Sequence, residues 1–344
     1  METAAQRHEH SPHNGPYSEL FAAHMAEKQP DITLTPTGVA IVGSNLDFVR
    51  ATYGNPDTPT YLHYHNDPHS YGVTTRTLWQ LAMLQKALRL PLTDRDYELA
   101  ALAASAHDIV KGSLRTGDQI SIPVGEATIT LQDDGTKSDE RLSAEFTTQA
   151  MTLAGDYSAT DRNRVASAIL ATEVTFEGMK VSLKHVNETI RDPIVVSLMI
   201  ADTNDIFARS RDVVHAIGEN VSDLSLEILR SGGSATSDVI SKTVGDLLKY
   251  QSEFLKDRRD DYALLTSRLI DTYDTSDQYD TLRTKFQAVT TTAVSFAEQL
   301  EANADKVVSD FRSELAQLRE SSLGEQNKIR RALMQALNNL PPSK

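Results

Sequence analysis

The chain has 344 residues, 40% of them hydrophobic and only 6% aromatic, with no cysteine and a formal charge of −14. The length allows two domains, or one domain with a large appendage. Without thiols, disulfides and thiolate zinc sites are excluded, and any metal must rest on His, Asp, Glu and water. The negative charge argues against nucleic acid as a general partner, yet leaves room for a small anion neutralised by a bound cation. No apolar run approaches the length of about 18 residues that spans a bilayer, and the N-terminus lacks an apolar leader, so a cytoplasmic protein without a membrane partner is expected.

Residues 1–32 are polar and aperiodic, which predicts a mobile N-terminal tail. His8, His10 and His13 lie in it with nothing around them to fix a ligand geometry, and they read as solvated. Residues 33–43, Thr-Leu-Thr-Pro-Thr-Gly-Val-Ala-Ile-Val-Gly, predict a short strand or extended arm. Leu78, Leu81, Ala82, Leu84 and Leu88 recur at helical spacing within 65–90, and Pro91 ends that helix. Thr93 with Asp96 three residues on starts the next, which runs through Leu99, Leu102 and Ala103 to His107 and Asp108. Its alanines allow close approach of neighbouring helices.

Residues 115–137 switch to the strand period, with Gly125 between two alternating runs, and predict an inserted β-hairpin. Helices resume over 138–154, 160–172 and 190–216. Ser231-Gly-Gly-Ser marks a break, followed by long helical stretches over 236–274 and 277–321. The apolar stripe of the first holds Val239, Val244, Leu248, Leu255 and Leu269. That of the second holds Phe286, Val294, Leu300, Val307, Phe311 and Leu315. A helical hairpin that packs on itself, on the first domain or on a second subunit is expected. The fold class is therefore mainly α.

The chemistry-bearing residues come from three distant stretches. His65 and His69 are four apart, one turn on a common helical face. His107 and Asp108 are adjacent at a helix end. Asp202 sits in the apolar run Val195-Val-Ser-Leu-Met-Ile-Ala, where an unpaired carboxylate is costly and a cation relieves the cost. Imidazoles with carboxylates are the donors that hold a divalent ion able to activate water. Lys111 has two readings: an ammonium that holds a phosphate oxygen, or a solvated lysine at a helix C-terminus.

In this order the segments resemble the HD-domain metal-dependent phosphohydrolases. Tyr64-His65-Asn66-Asp67-Pro68-His69 is similar to the YHNxxH signature of the branch that includes the cyclic-nucleotide phosphodiesterases, and Ser105-Ala106-His107-Asp108 to the superfamily's His-Asp pair. Ile169-Leu-Ala-Thr-Glu-Val resembles the Ala-Thr-Asp-Met helix, Asp139-Glu140-Arg-Leu-Ser143 the Asn-Glu-x-x-Ser segment of bacterial relatives, and Met199-Ile-Ala-Asp202-Thr-Asn the last ligand segment. The likeness covers roughly residues 45–215. At Lys111 the spacing is that of the HDxGK version, with Val110 in place of its glycine and lysine where the cyclic-nucleotide enzymes carry histidine.

The resemblance implies an HD-domain helical bundle over 33–216, with the 115–137 hairpin inserted and 217–344 as a C-terminal helical extension. It implies His69, His107, Asp108 and Asp202 as metal ligands, and Asp108 as a bridge to a second ion if there is one. His65 would be the general acid, Lys111 a charge stabiliser, Glu140 a second-sphere partner, and Thr172 a supporting residue. The cofactor would be one or two divalent ions among Mg, Mn, Fe, Co, Ni and Zn. The substrate would be a phosphate monoester or diester of a small molecule or nucleotide. A purine-reading glutamine and aromatic clamp are not found, and after residue 215 the chain leaves the family's pattern. The competing expectation is a nucleotide-binding sensor or scaffold that signals through its C-terminal helices, with a homodimer formed through 231–344.

Overall fold

A computed structural model describes residues 15–56, 58, 60–112, 119–125, 127–177, 180–183, 191–208, 213–232, 236–273, 291, 294–318 and 324–340. The described residues are mainly helical, in the order α1 Tyr17–Lys28, α2 Pro36–Tyr53, α3 Asp67–Leu88, α4 Asp94–Ala106, β1 Gln119–Val124, β2 Ala127–Gln132, α5 Asp139–Ala154 and α6 Ala159–Leu170. There follow β3 Val174–Glu177, β4 Lys180–Leu183, α7 Pro193–Ala208, α8 Val213–Gly232, α9 Ser237–Tyr273, α10 Ala304–Gln317 and α11 Glu325–Asn338. A further helical stretch precedes α10 at 294–302. No helix among the described residues is long and apolar enough to cross a membrane.

The helix starts follow local chemistry. Thr35 caps α2 through Gly38 N–H, with Pro36 at the first helical position, where its missing N–H costs nothing. Asn66 caps α3 and Ser138 caps α5. Thr93 with Asp96, and Ser158 with Asp161, form capping boxes on α4 and α6. Gly155 ends α5 at φ +79°, a conformation that glycine adopts without a Cβ penalty.

Helix α4 is the axis of the bundle. Every residue from Tyr97 to Ala106 is buried, and α2, α3, α5, α6 and α7 all pack on it. Burial of Leu99 and Leu102 contributes about 1.5–3 kcal/mol each, and the alanines let five helices close in. The last turn of α4 therefore delivers His107 and Asp108 to the centre of the molecule.

Several expectations are corrected. Residues 36–43 open helix α2 rather than a strand: Ile41, Val42, Leu46 and Val49 are buried on one helical face, and the Thr35-Pro36 start outweighs the β-branched composition. Residues 17–28, expected within a mobile tail, form α1, which packs on α2 with Tyr17, Phe21 and Met25 buried. His8, His10 and His13 lie outside the described residues. The 190–216 helix is two helices, α7 and α8. The boundary expected at 216/217 falls inside α8, where Ala216, Ile217 and Val221 are all buried.

Hairpin β1–β2 forms as expected, in register from Gln119 with Gln132 to Val124 with Ala127. Ile120, Ile122, Ile129 and Leu131 point into the core and the alternate residues out. A second hairpin, β3–β4, was not foreseen. In the C-terminal part, α9 packs against α10, and α11 turns back onto α8 and α10. Val244, Leu248, Leu255 and Leu269 of the α9 stripe are buried, whereas Val239 is exposed. Phe286 lies outside the described residues.

Candidate metal centre

Three structural pieces meet at the C-terminal end of α4. The first is the segment 61–66 and the first turn of α3. Asn66 Oδ1 accepts from His69 N–H at 3.3 Å and so starts α3 with His69 in its first turn, fully buried. His65 precedes the cap, so the expected common helical face for His65 and His69 is corrected. The extended backbone still brings their rings together, 5.6 Å between centroids. Tyr64 packs its ring on that of His69 at 4.6 Å.

The second piece is the turn after α4. His107 occupies the C-cap position, and its Nδ1 donates to the carbonyl of Ala104 at 2.7 Å. A carbonyl only accepts, so the proton resides on Nδ1, and Nε2 is the nitrogen turned to the centre. Val110 N–H donates to Ser143 Oγ at 3.1 Å and Gly112 N–H to Asp139 Oδ2 at 2.9 Å, both from the first turns of α5. Lys111 N–H donates to the hydroxyl of Tyr53 at 2.9 Å, which in turn donates to the Ile109 carbonyl at 3.2 Å. The turn carrying Asp108 and Lys111 is thus pinned from two sides. The third piece is α7, which packs along α3 and supplies Asp202.

The four donors converge. Asp108 Oδ2 lies 3.4 Å from His69 Nε2 and 3.2 Å from His107 Nε2. Asp202 Oδ1 lies 3.5 Å from His69 Nε2 and 3.4 Å from His107 Nε2. Around an ion with bonds of about 2.0–2.2 Å, neighbouring donors sit about 3–3.5 Å apart, so the separations from each carboxylate to the two imidazoles are compatible with ligation of one ion. The buried group His69, His107 and Asp108 can hold a metal ion, and it is the one such group of three or more donors among the described residues. Nε2 of His107 is buried without a hydrogen-bond partner, although two carboxylates face it. The donor set fits a divalent cation.

Electrostatics agree with that reading. Burial pushes the His107 imidazole toward the neutral form, but Asp108 and Asp202 outweigh it and raise its pKa to about 10. Burial acts upward on both carboxylates. For Asp108 the charges of His107 and Lys111, and for Asp202 that of His107, overcome it and hold them well below the usual range. With the Lys111 ammonium paired to Asp108, the cluster keeps one net negative charge, which a His107 imidazolium balances when no metal is bound.

The mouth of the site is set by exposure. The side chains of Asp202 and His65 are 28% and 17% exposed, against 0% and 1% for His69 and His107. Solvent reaches the group from the Asp202 and His65 side. Lys111 is not a solvated helix-terminal lysine: its Nζ lies 2.7 Å from Asp108 Oδ1 and its side chain is only 15% exposed. Burial alone would discharge it, but Asp108, Glu140 and Asp139 hold its ammonium well above the ordinary lysine range. Thr172 donates its hydroxyl to the Ile169 carbonyl at 2.8 Å and closes the end of α6.

The residue missed by sequence reasoning is Asp223 on α8. Its carboxylate, 3% exposed, accepts from the backbone N–H groups of His63, Tyr64 and His65 at 2.8, 2.8 and 3.1 Å, and faces His65 Nδ1 at 3.3 Å. One carboxylate therefore orients both the segment and the ring of His65. The signal was present: Asp223 lies seven residues from Ala216 on the apolar face of α8, the same costly context that singled out Asp202. Histidines left without a role are accounted for in part. His63 is buried with its ring edge-on to Tyr61, and His24 is edge-on to Tyr71. His185 and the side chains of Asp205 and His215 lie outside the described residues. Comparison with protein-family models, with curated proteins and with solved structures gives no match for this chain.

Proposed function

We propose that the chain is a metal-dependent phosphohydrolase of the HD-domain type, acting on a phosphate monoester or diester of a small molecule or nucleotide. The observation that carries this reading is the meeting of His69, His107, Asp108 and Asp202, from three distant stretches of chain, with donor separations of 3.2–3.5 Å. A divalent ion held there supplies a Lewis acid for a phosphoryl oxygen and lowers the pKa of water. His65 stands beside this donor set at the open mouth. Its Nδ1 is engaged by Asp223, which leaves Nε2 to give a proton to the departing oxygen. The ammonium of Lys111, fixed on Asp108, adds positive charge beside a substrate whose phosphoryl oxygens become more negative.

The test is a phosphatase and phosphodiesterase panel on the full chain with added Mn, Mg, Ni or Co, alongside an Asp108→Ala protein. Metal-dependent turnover present in the parent and absent in Asp108→Ala is expected. No turnover with any ion, or equal turnover in both proteins, overturns the proposal. The second reading, a nucleotide-binding sensor, is favoured by one feature: α11 packs on α8, the helix that holds Asp223 behind His65. Ligand binding without turnover would select it. A homodimer through 231–344 is the further partner expected on this reading, checked by light scattering of the full chain.

A further inference from the structure

The metal reading leaves open how many ions the site takes. We propose that the Lys111 ammonium stands where a second ion would bind, so that the site takes one divalent cation per chain. This rests on the metal-centre reading above. Asp108 divides its two oxygens: Oδ2 faces the imidazoles of His69 and His107 at 3.4 and 3.2 Å, whereas Oδ1 receives the Lys111 ammonium at 2.7 Å. Two-ion hydrolytic sites hold their cations about 3.5–4 Å apart. A carboxylate that bridges such a pair turns one oxygen to each ion. In this chain the second oxygen is already neutralised by a covalently tethered cation. A dication on that same oxygen would lie within about 5 Å of the ammonium in a buried setting, where like charges repel strongly.

The lysine is anchored at both ends: its backbone turn is held by Tyr53, Ser143 and Asp139, and its ammonium, on a side chain only 15% exposed, is ion-paired to Asp108. The other carboxylates of this corner act on the ammonium too: Glu140 and Asp139 are its electrostatic partners along with Asp108. Of this negative charge, Lys111 neutralises the Asp108 oxygen that a bridged second ion would need. No other group of three or more carboxylate and imidazole donors occurs beside the first among the described residues.

The experiment is Mn(II) titration of the full-length, chelator-stripped protein, read by calorimetric stoichiometry and by electron paramagnetic resonance, on the parent, Lys111→Met and Lys111→Arg. The parent should bind about one Mn(II) per chain with the spectrum of an isolated ion, and Lys111→Arg should match it. Lys111→Met should rise to about two ions per chain with an exchange-coupled spectrum, because methionine keeps the stem and removes the charge. Two coupled ions in the parent, or a folded Lys111→Met protein that still binds one, would overturn the proposal. If Lys111→Met fails to fold, Lys111→Gln, which also removes the charge, is titrated in its place: two ions are expected, and one ion overturns the proposal. A parent that binds no Mn(II) removes the metal-centre reading itself, an outcome distinct from a wrong count.

Discussion

At the scale of single residues, the division of labour follows burial. On the proposed reading, substitution of the solvent-sealed His69 or His107 strikes the ion, whereas substitution of the more exposed His65, held by Asp223, strikes proton transfer. His69→Ala and Asp202→Ala should each lower bound metal and turnover together, measured by elemental analysis beside kcat/KM. His65→Ala should keep its metal. Its loss, on the order of 10²–10⁴ in rate, should be largest for alkyl phosphates and smallest for nitrophenyl esters, whose leaving oxygens need no proton. An equal loss across leaving groups would refute the acid role.

Asp223 links this chemistry to pH. Burial pushes its carboxyl upward, but the hydrogen bonds from His65 and from the His63 amide outweigh burial and hold it below its ordinary value of 3.8. A carboxylate with a depressed folded-state value stabilises the fold above its unfolded value, and that stability is lost as pH falls through the folded one. Asp223→Asn should therefore be less stable than the parent at pH 7. The gap in denaturation midpoint should begin to narrow below about pH 4, where the unfolded carboxyl takes up its proton, and close as pH falls further through the lower folded-state value. A gap that persists undiminished in acid would show that the substitution acts through packing alone.

At the scale of elements, legibility tracked how local the cause was. The capping box at Thr93, the Pro91 stop and the alternating runs around Gly125 are written in a few adjacent residues, and the corresponding elements form where expected. The residues that meet at the candidate centre were legible because His-Asp adjacency and a lone carboxylate in an apolar run are local anomalies. Helix α1 was not, because its buried residues are only Tyr17, Phe21 and Met25 on a polar background. Its helicity depends on α2, against which Gly43 permits contact so close that an added Cβ would lie 2.5 Å from Ser18. Asp223 was overlooked because its partners, the amides of 63–65, are about 160 positions away. Phe21→Ala should cost about 3–5 kcal/mol in chemical denaturation, since the ring is fully buried. A loss below 1 kcal/mol would return 17–28 to the status of a dispensable tail.

At the scale of the whole molecule, the C-terminal helices form the outer support of the site. Helix α11 buries Ile329, Leu333 and Leu337, and it lies so close to α8 that a Cβ on Gly218 would meet Met334 Sδ at 2.5 Å. Arg330 clamps Glu219 of α8 at 2.8 Å, one turn before Asp223. A chain of contacts thus runs from α11 through α8 to the amides of 63–65, while the metal donors hang on α3, α4 and α7. The two supports are separable. A protein ending at residue 323 should lose on the order of 5 kcal/mol of packing around α8. Hydrogen exchange at the 63–65 amides should accelerate, because Asp223 is no longer held against them. Metal affinity should stay within a few-fold of the parent, because none of the four donors resides on α8 or beyond. Unchanged protection at 63–65 would show that α8 holds its place without α11. Metal lost in parallel with protection would mean that the acid and the metal centre unfold as one unit, and that the long C-terminal arm supports both.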